Sequence, residues 1–321
     1  MKNFVTINDL NNVNLAIKET LDLKNDYLKN KKSYKKSYKK SNKTLGMIFF
    51  NPSLRTRLST QKAAQNIGVK TMIMNFSNEA WALEFENGTK MSGLRSEHIK
   101  EAAAVISEYC DIIAIRAFAS LNNIEKDESE VVIKSFIKYS KVPIINMESA
   151  TAHPLQALAD AVTIIENKNK KRPKVLLTWA PHPKALPHAV PNSFVKTMKH
   201  MDVELSIVQP KEFELNPIIS KGINLYYNQM EAFKDVDFVY AKNWSSYNNY
   251  GSISKGKDDW IINEEKMALT NNAKFMHCLP IRRNIVASDE VLDNKNSLVI
   301  KQAENRIYSA QYIMEKLLKN E

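Results

Sequence analysis

The segment Leu45 to Arg57, LGMIFFNPSLRTR, gathers the residue types that hold an anion. Leu45 to Phe50 is an apolar block of strand length, and Asn51 and Pro52 interrupt it. From Ser53 onward the residues Leu58, Ala63, Ala64 and Ile67 recur at helical spacing. The pattern reads as strand, tight turn and helix start. At a helix N-terminus the first N–H groups lack intrahelical partners, and the aligned peptide dipoles add partial positive charge. Ser53 and Thr56 add hydroxyls, and Arg55 and Arg57 add guanidinium forks that suit phosphate oxygens. Phosphate or a phosphate-like group is the ligand class this chemistry fits; a capped helix carrying two surface arginines fits the same residues.

Other candidates share one kind of location. Arg116 follows the apolar run DIIAI, His153 and Gln156 open an amphipathic stretch after a strand ending near Glu148, and HCLP (His277 to Pro280) closes another strand. Taken singly, each has an ordinary reading as a surface arginine or a structural histidine. Together they fall at carboxyl ends of predicted parallel strands, where α/β proteins bind their ligands.

The elements that must position these residues alternate twice over. The first half predicts strands at Leu45–Phe50, Val69–Asn75, Asp111–Arg116 and Val142–Met147, with helices at Arg55–Ile67, Glu97–Tyr109 and Asp127–Tyr139. A run of βα units implies a parallel sheet covered on both faces. An amphipathic helix, His153 to Lys168, comes next, and then a charged connection from Glu166 to Lys174. The second half resumes with strands at Val175–Trp179, Val203–Val208, Ile223–Tyr227, Asp237–Ala241 and Phe275–His277, and ends in a helix from Ala303 to Lys319. The fold class expected is therefore α/β, with two doubly wound parallel-sheet lobes and a cleft between them. The expected domains are residues 1–150 and 151–302, with the terminal helix 303–321 returning to the first.

Bulk composition bounds the function. A chain of 321 residues with 44% hydrophobic and 25% charged content is that of a globular protein of about two domains. No apolar run approaches the ~20 residues of a membrane span, and the N-terminus lacks a signal peptide's apolar core, so a cytoplasmic protein is expected. Cys110 and Cys278 are too few for a disulfide framework or a cysteine metal site. The net charge of +11 is local: nine lysines lie between Lys24 and Lys43 against one acid, and the rest of the chain holds 37 basic against 34 acidic residues. The near-repeat KKSYKKSYKKS, Lys31 to Ser41, interleaves tyrosine with lysine as a single-strand nucleic-acid binder would. It contains no arginine and no recognition motif, so a solvated insertion is the reading adopted, with no nucleic-acid or membrane partner.

SLRTR at Ser53–Arg57, HPLQALAD at His153–Asp160 and HCLP at His277–Pro280 occur in the order and spacing of the transcarbamylases, which use carbamoyl phosphate. The chain resembles most the branch acting on N-acylated ornithine, through WAPHPKALPHAVPNSF (Trp179–Phe194), YAKNW (Tyr240–Trp244) and HCLPIRRN (His277–Asn284). The resemblance implies that Ser53, Leu54, Arg55 and Thr56 hold the phosphate and that Arg116 and His153 donate toward the carbonyl oxygen. It further implies that Gln156, Arg306 and the carbonyls near Cys278 and Leu279 orient the carbamoyl amide, with Cys278 a positioning residue. Trp81 would reach a neighbouring subunit's site, making a homotrimer. Because phosphate is already a good leaving group and can itself accept a proton, no conventional nucleophile is needed; no cofactor and no metal are implied.

The same resemblance places the acceptor amino acid at Glu148, His182, Lys184, Lys242 and Arg282. Ornithine transcarbamylases hold a free α-ammonium with an aspartate and an SMG motif, where this chain reads YAKNWSSY with Lys242 in the aspartate's place. A cation there repels an ammonium and pairs with carboxylates. Ser96 precedes the pair Glu97–His98, where acetyl-specific relatives tend to carry glutamate and succinyl-specific ones proline. A small neutral serine leaves room for the longer arm, so N-succinylornithine is the expected acceptor in arginine biosynthesis. The alternatives are N-acetylornithine, then ornithine or aspartate, and, in another class, nucleic-acid binding through the lysine block.

Overall fold

The computed structural model describes residues 1–29, 41–77, 79–253 and 255–319. Lys31 to Lys40, on which a nucleic-acid role would rest, lie outside the described residues. The chain divides into two compact units. One comprises Met1–Ser120, Glu125–Leu155 and Arg306–Glu321; the other comprises Leu121–Ile124 and Gln156–Asn305.

The strands of the first unit are β1 (Thr44–Phe49), β2 (Lys70–Asn75), β3 (Ala82–Glu84), β4 (Arg95–His98), β5 (Ile112–Arg116) and β6 (Ile144–Glu148). Four of them form a parallel sheet in the order β2-β1-β5-β6. β5 and β6 are buried over their whole length, as expected of continuous apolar runs covered on both faces, whereas the edge strand β2 is only partly buried. Ile48, Ile113, Ile115 and Ile144 pack with Ile99, Ala102, Ala103 and Ile106, the i, i+3, i+4, i+7 stripe of the helix Ile99–Tyr109. Gly46 interrupts the β1 run for a steric reason: a Cβ there would sit 2.7 Å from Cys110 Sγ. Burial also pushes the Cys110 thiol up to about 11, so this cysteine is part of the core.

The strand order reverses between β1 and β5, the place where open α/β sheets bind ligands outside the strand carboxyl ends. The carboxyl end of β1 runs into the turn leading to Ser53, and Arg116 is the last residue of β5.

The first unit departs from the sequence expectation in several places. The helix expected from Glu97 begins at Ile99, because Arg95–His98 pairs in parallel with β3 and His98 caps the helix through Nδ1. The helix expected over Asp127–Tyr139 is two helices, Ile124–Glu128 and Val131–Tyr139, separated by Glu130 at φ 53°. Glu130 then turns its carboxylate to Ser149 Oγ, Thr151 N and Thr151 Oγ1 at 2.6 to 2.7 Å. This fixes the loop that leads to His153. The helix Val13–Lys29, not anticipated, buries Val13, Ala16, Ile17, Thr20 and Lys24 along one stripe.

The second unit holds β7 (Lys174–Trp179), β8 (Glu204–Val208), β9 (Asn224–Tyr226), β10 (Phe238–Lys242) and β11 (Lys274–Met276). They form a parallel sheet in the order β11-β10-β7-β8-β9, so the order reverses between β7 and β10. The helices Pro154–Asn167 and Val299–Leu318 each cross a unit boundary along the chain. Among the described residues, no helix is long and apolar enough to cross a membrane.

Candidate active site

In the first unit the helix Leu54–Asn66 starts as the sequence requires. Ser53 is its N-cap, extended at φ −157°, and its hydroxyl accepts from Thr56 N at 3.3 Å. Its first turn carries no acid that would offset the positive end of the dipole. Thr56 is buried, and its Oγ1 accepts from Arg116 Nη1 at 3.2 Å and from Arg306 Nη2 at 2.8 Å. One hydroxyl thus gathers an arginine from the end of β5 and another from the helix Val299–Leu318. Arg57 is exposed, with Glu79 as a nearby charge, and stands outside this group.

Arg116 also donates to Glu148 Oε2, its register partner at the end of β6, and His153 Nε2 lies 3.3 Å from the same oxygen. All three side chains are buried. A carboxylate between two donors helps to settle their orientation, and the pairing of Glu148 with both neighbours offsets part of the cost of burying them. Phe118 stacks on the Arg116 guanidinium at 4.2 Å. Glu148, expected with the acceptor residues, is in contact with Arg116 and His153, which were expected to act on the carbamoyl group.

In the second unit two groups form. The first lies just beyond β11: His277, Cys278 and Leu279, with Leu279 N donating to His277 Nδ1 at 2.9 Å and Leu279 held at φ 54°. Gln156 belongs to this group through Asp160 and Gln302. Tyr240, fully buried on β10, lies beside Asp160 and Cys278; burial first, and then the Asp160 charge, hold its phenol well above the usual value and un-ionised.

The second group stands at the order reversal of the sheet, where the β7, β10 and β11 ends are neighbours. Arg282 Nε donates to His182 Nε2 at 3.3 Å, and His182 Nδ1 lies 2.9 Å from the Lys184 carbonyl. Arginine has only donors, so Nε2 must accept and the neutral ring carries its proton on Nδ1. His182 is held below its ordinary value of 6.5, chiefly by burial, with the charges of Lys242, Arg282 and Lys184 adding to the effect. Lys242 itself is buried at the end of β10 and donates to the Asn243 carbonyl at 3.0 Å. The group is cationic, and an ammonium would be repelled from it.

Trp81 and Ser96 belong to none of these groups. Trp81 is 56% exposed, and its Nε1 donates to Glu97 Oε2 at 2.7 Å. Ser96 is exposed at a register shift in the β3–β4 pair, where Ala82 faces Arg95 and Leu83 faces Glu97. It is the extra residue of that bulge, a device that re-aims side chains. Sequence reasoning missed Gln302 and gave Asp160 no role, although Asp160 closes the HPLQALAD motif one helical turn after Gln156. Among the described residues, no three His, Cys, Asp or Glu side chains are placed to hold a metal ion.

Residues 2–166 match the family model described as aspartate/ornithine carbamoyltransferase, carbamoyl-P binding domain, and residues 188–317 match the Asp/Orn binding domain of the same family. The chain is 46% identical over 322 residues to N-succinylornithine carbamoyltransferase of Bacteroides fragilis, covering 100% of this chain and 99% of the relative. It is 37% identical to N-acetylornithine carbamoyltransferase of Xanthomonas axonopodis, over 86% of each. Among solved structures it is similar to an N-acetyl-L-ornithine transcarbamylase variant with one glutamate replaced by serine, complexed with carbamyl phosphate and N-succinyl-L-norvaline. That likeness has a TM-score of 0.89 and 35% identity, over 99% of this chain and 100% of the other.

Proposed function

The chain belongs to the aspartate/ornithine carbamoyltransferase family, and from that premise we propose that it transfers the carbamoyl group of carbamoyl phosphate to the side-chain amine of N-succinyl-L-ornithine. The amine attacks the carbonyl carbon, the bond from that carbon to the phosphate oxygen breaks, and the proton lost by nitrogen leaves with phosphate. The products are N-succinyl-L-citrulline and inorganic phosphate, a step of arginine biosynthesis assigned to the cytoplasm.

The observation that carries the N-acyl reading is the cationic group of His182, Lys184, Lys242 and Arg282. Free ornithine would bring an ammonium into it, whereas an acylated α-nitrogen is neutral and a succinyl arm adds a second carboxylate. The higher identity to the succinyl-named relative supports the same acceptor. In this reading the first unit binds carbamoyl phosphate and the second binds the acyl amino acid.

Each set of residues then has its own task. Ser53, Leu54, Arg55 and Thr56 hold the phosphate at the helix N-terminus. Arg116 and His153, oriented by Glu148, donate to the carbonyl oxygen as negative charge develops on it, the kind of prearranged electrostatic stabilisation that contributes most to rate. Gln156, Arg306 and the carbonyls of Cys278 and Leu279 take the carbamoyl amide. Trp81, exposed on the single chain, completes a neighbouring subunit's site in a homotrimer.

One preparation tests the whole reading. With carbamoyl phosphate and, in turn, N-succinylornithine, N-acetylornithine, ornithine and aspartate, the succinyl compound should give the highest kcat/KM, and sedimentation should report a trimer. Faster turnover of ornithine or aspartate would overturn the acceptor assignment, and a fully active monomer would overturn the role of Trp81.

His182 should make acceptor binding depend on pH. Burial chiefly holds the imidazole low and the neighbouring cations add to it; an acceptor carboxylate bound among Lys184, Lys242 and Arg282 offsets the cationic part, so the pKa rises on binding and protons are taken up. Calorimetry with N-succinyl-L-norvaline in buffers of different ionisation heat should therefore find proton uptake near about pH 6, and none at about pH 8, well above the ordinary imidazole value. Proton-neutral binding near the lower pH would remove His182 from the carboxylate site.

A further inference from the structure

Asp160 is fully buried one turn past Gln156 on the helix Pro154–Asn167. Its Oδ1 accepts from Gln156 Nε2 at 2.7 Å and from Gln302 Nε2 at 2.7 Å. Gln302 turns its own Oε1 to the backbone N–H of His277 at 3.0 Å, and Leu279 N–H donates to His277 Nδ1 at 2.9 Å. One oxygen atom therefore connects Gln156 to the His277–Pro280 loop through a single glutamine.

An amide side chain has a donor end and an acceptor end that differ in chemistry but hardly in shape. Because Asp160 Oδ1 takes an N–H from each glutamine, both amides must present nitrogen to it and oxygen away from it. For Gln302 the oxygen meets His277 N–H. For Gln156 the oxygen is buried with no hydrogen-bond partner among the described residues. A buried acceptor in that condition costs free energy until a donor arrives.

We propose that Asp160 is a positioning residue of the reaction: it fixes the Gln156 amide so that Oε1 presents an acceptor to the carbamoyl N–H, and through Gln302 it holds the loop whose carbonyls take the other N–H. The inference rests on the assignment of Gln156 to the carbamoyl amide. It assigns to Asp160 no contact with substrate. With the amide turned over, Gln156 would present a donor to a donor, and the carbamoyl group would lose one of the contacts that aims its carbon at the amine.

The test is steady-state kinetics of four variants, Gln156→Ala, Asp160→Leu, Gln156→Glu and the pair Gln156→Glu with Asp160→Asn, each assayed well below its melting temperature with the acceptor the wild-type protein uses. Gln156→Ala and Asp160→Leu should each lower kcat/KM for carbamoyl phosphate by about 30-fold, the scale of leaving a buried hydrogen-bonding group unsatisfied. KM for the acceptor should stay near the wild-type value, because the His182 group does not depend on Asp160.

Gln156→Glu alone sets two carboxylates against each other in a buried place and should be worse still. Adding Asp160→Asn replaces one of the two facing carboxylates by a neutral amide whose N–H₂ can donate to the new carboxylate, and an oxygen is left for the substrate, so the pair should recover about tenfold or more over Gln156→Glu. A purely structural aspartate would instead raise both KM values or leave the second substitution without rescue. Asp160→Leu within threefold of wild type beside a crippled Gln156→Ala, or a pair no better than Gln156→Glu, overturns the inference. An unaffected Gln156→Ala removes the assignment of Gln156 itself and the inference with it. If Asp160→Leu fails to fold, the charge-swap pair still decides.

Discussion

Arg55→Ala should lower kcat/KM for carbamoyl phosphate by more than ~100-fold while the protein stays folded. A guanidinium contact to a phosphate leaving group strengthens as charge accumulates on it, so losing the contact removes stabilisation that the transition state uses most. Arg55 is the informative arginine because it is only half buried, in the first turn of the helix Leu54–Asn66, where alanine is an excellent helix former. Arg116 is a poorer choice. Its removal would leave the Glu148 carboxylate buried beside His153 without its arginine, and breaking a buried pair typically costs about 3–5 kcal/mol of stability. A fall in activity there would mix folding with chemistry. Kinetics of Arg55→Ala, with a thermal melt beside them, separate the two; near-normal turnover would take the phosphate away from this helix N-terminus.

What could be read from the residues depends on the range of the interactions. The strand, turn and helix around Ser53 are encoded within about a dozen neighbours, so the cap, the helix and the buried strand were all legible. Arg116 and His153 were singled out by position, since each follows the carboxyl end of a parallel strand, where α/β proteins gather functional side chains. Their joint carboxylate was not: Glu148 is 32 residues from Arg116, and a glutamate ending an apolar strand looks the same whether it binds a substrate or orients two donors. Asp160 and Gln302, 142 residues apart, illustrate the same limit. The break at Glu130 left no trace because neither glycine nor proline marks it; a glutamate occupies the left-handed conformation and spends its carboxylate on Ser149 and Thr151. β3 and β4 were missed because three- and four-residue strands, one of them RSEH, give too few positions for alternation to register. The two large sheets lack this weakness, since most of their strands are long apolar runs between amphipathic helices.

Ser96→Glu should reverse the acyl preference, lowering the ratio of kcat/KM for N-succinylornithine to that for N-acetylornithine by about 100-fold, the scale of a like-charge juxtaposition at a binding surface. The fold should tolerate the change: Ser96 is an exposed residue on a register shift, and substitutions at such places usually alter stability by no more than about 0.5 kcal/mol. Most of the loss should fall on the succinyl compound, because the new carboxylate repels a second carboxylate and has little to repel in an acetyl group. The neighbouring cation gives limited help to the native preference. Arg95 Nη1 is bound to Glu84 Oε1 at 2.7 Å, so its charge is already paired, and Lys90 is exposed, where a single ammonium contributes little. Selectivity in the wild-type chain is therefore expected to come from the space and neutrality of Ser96, and Ser96→Ala should keep the succinyl preference. A glutamate variant with an unchanged ratio would place Ser96 outside the acyl pocket. A wild-type protein that carbamoylates the acetyl compound far faster than the succinyl one would overturn the choice of acceptor and leave the family assignment intact.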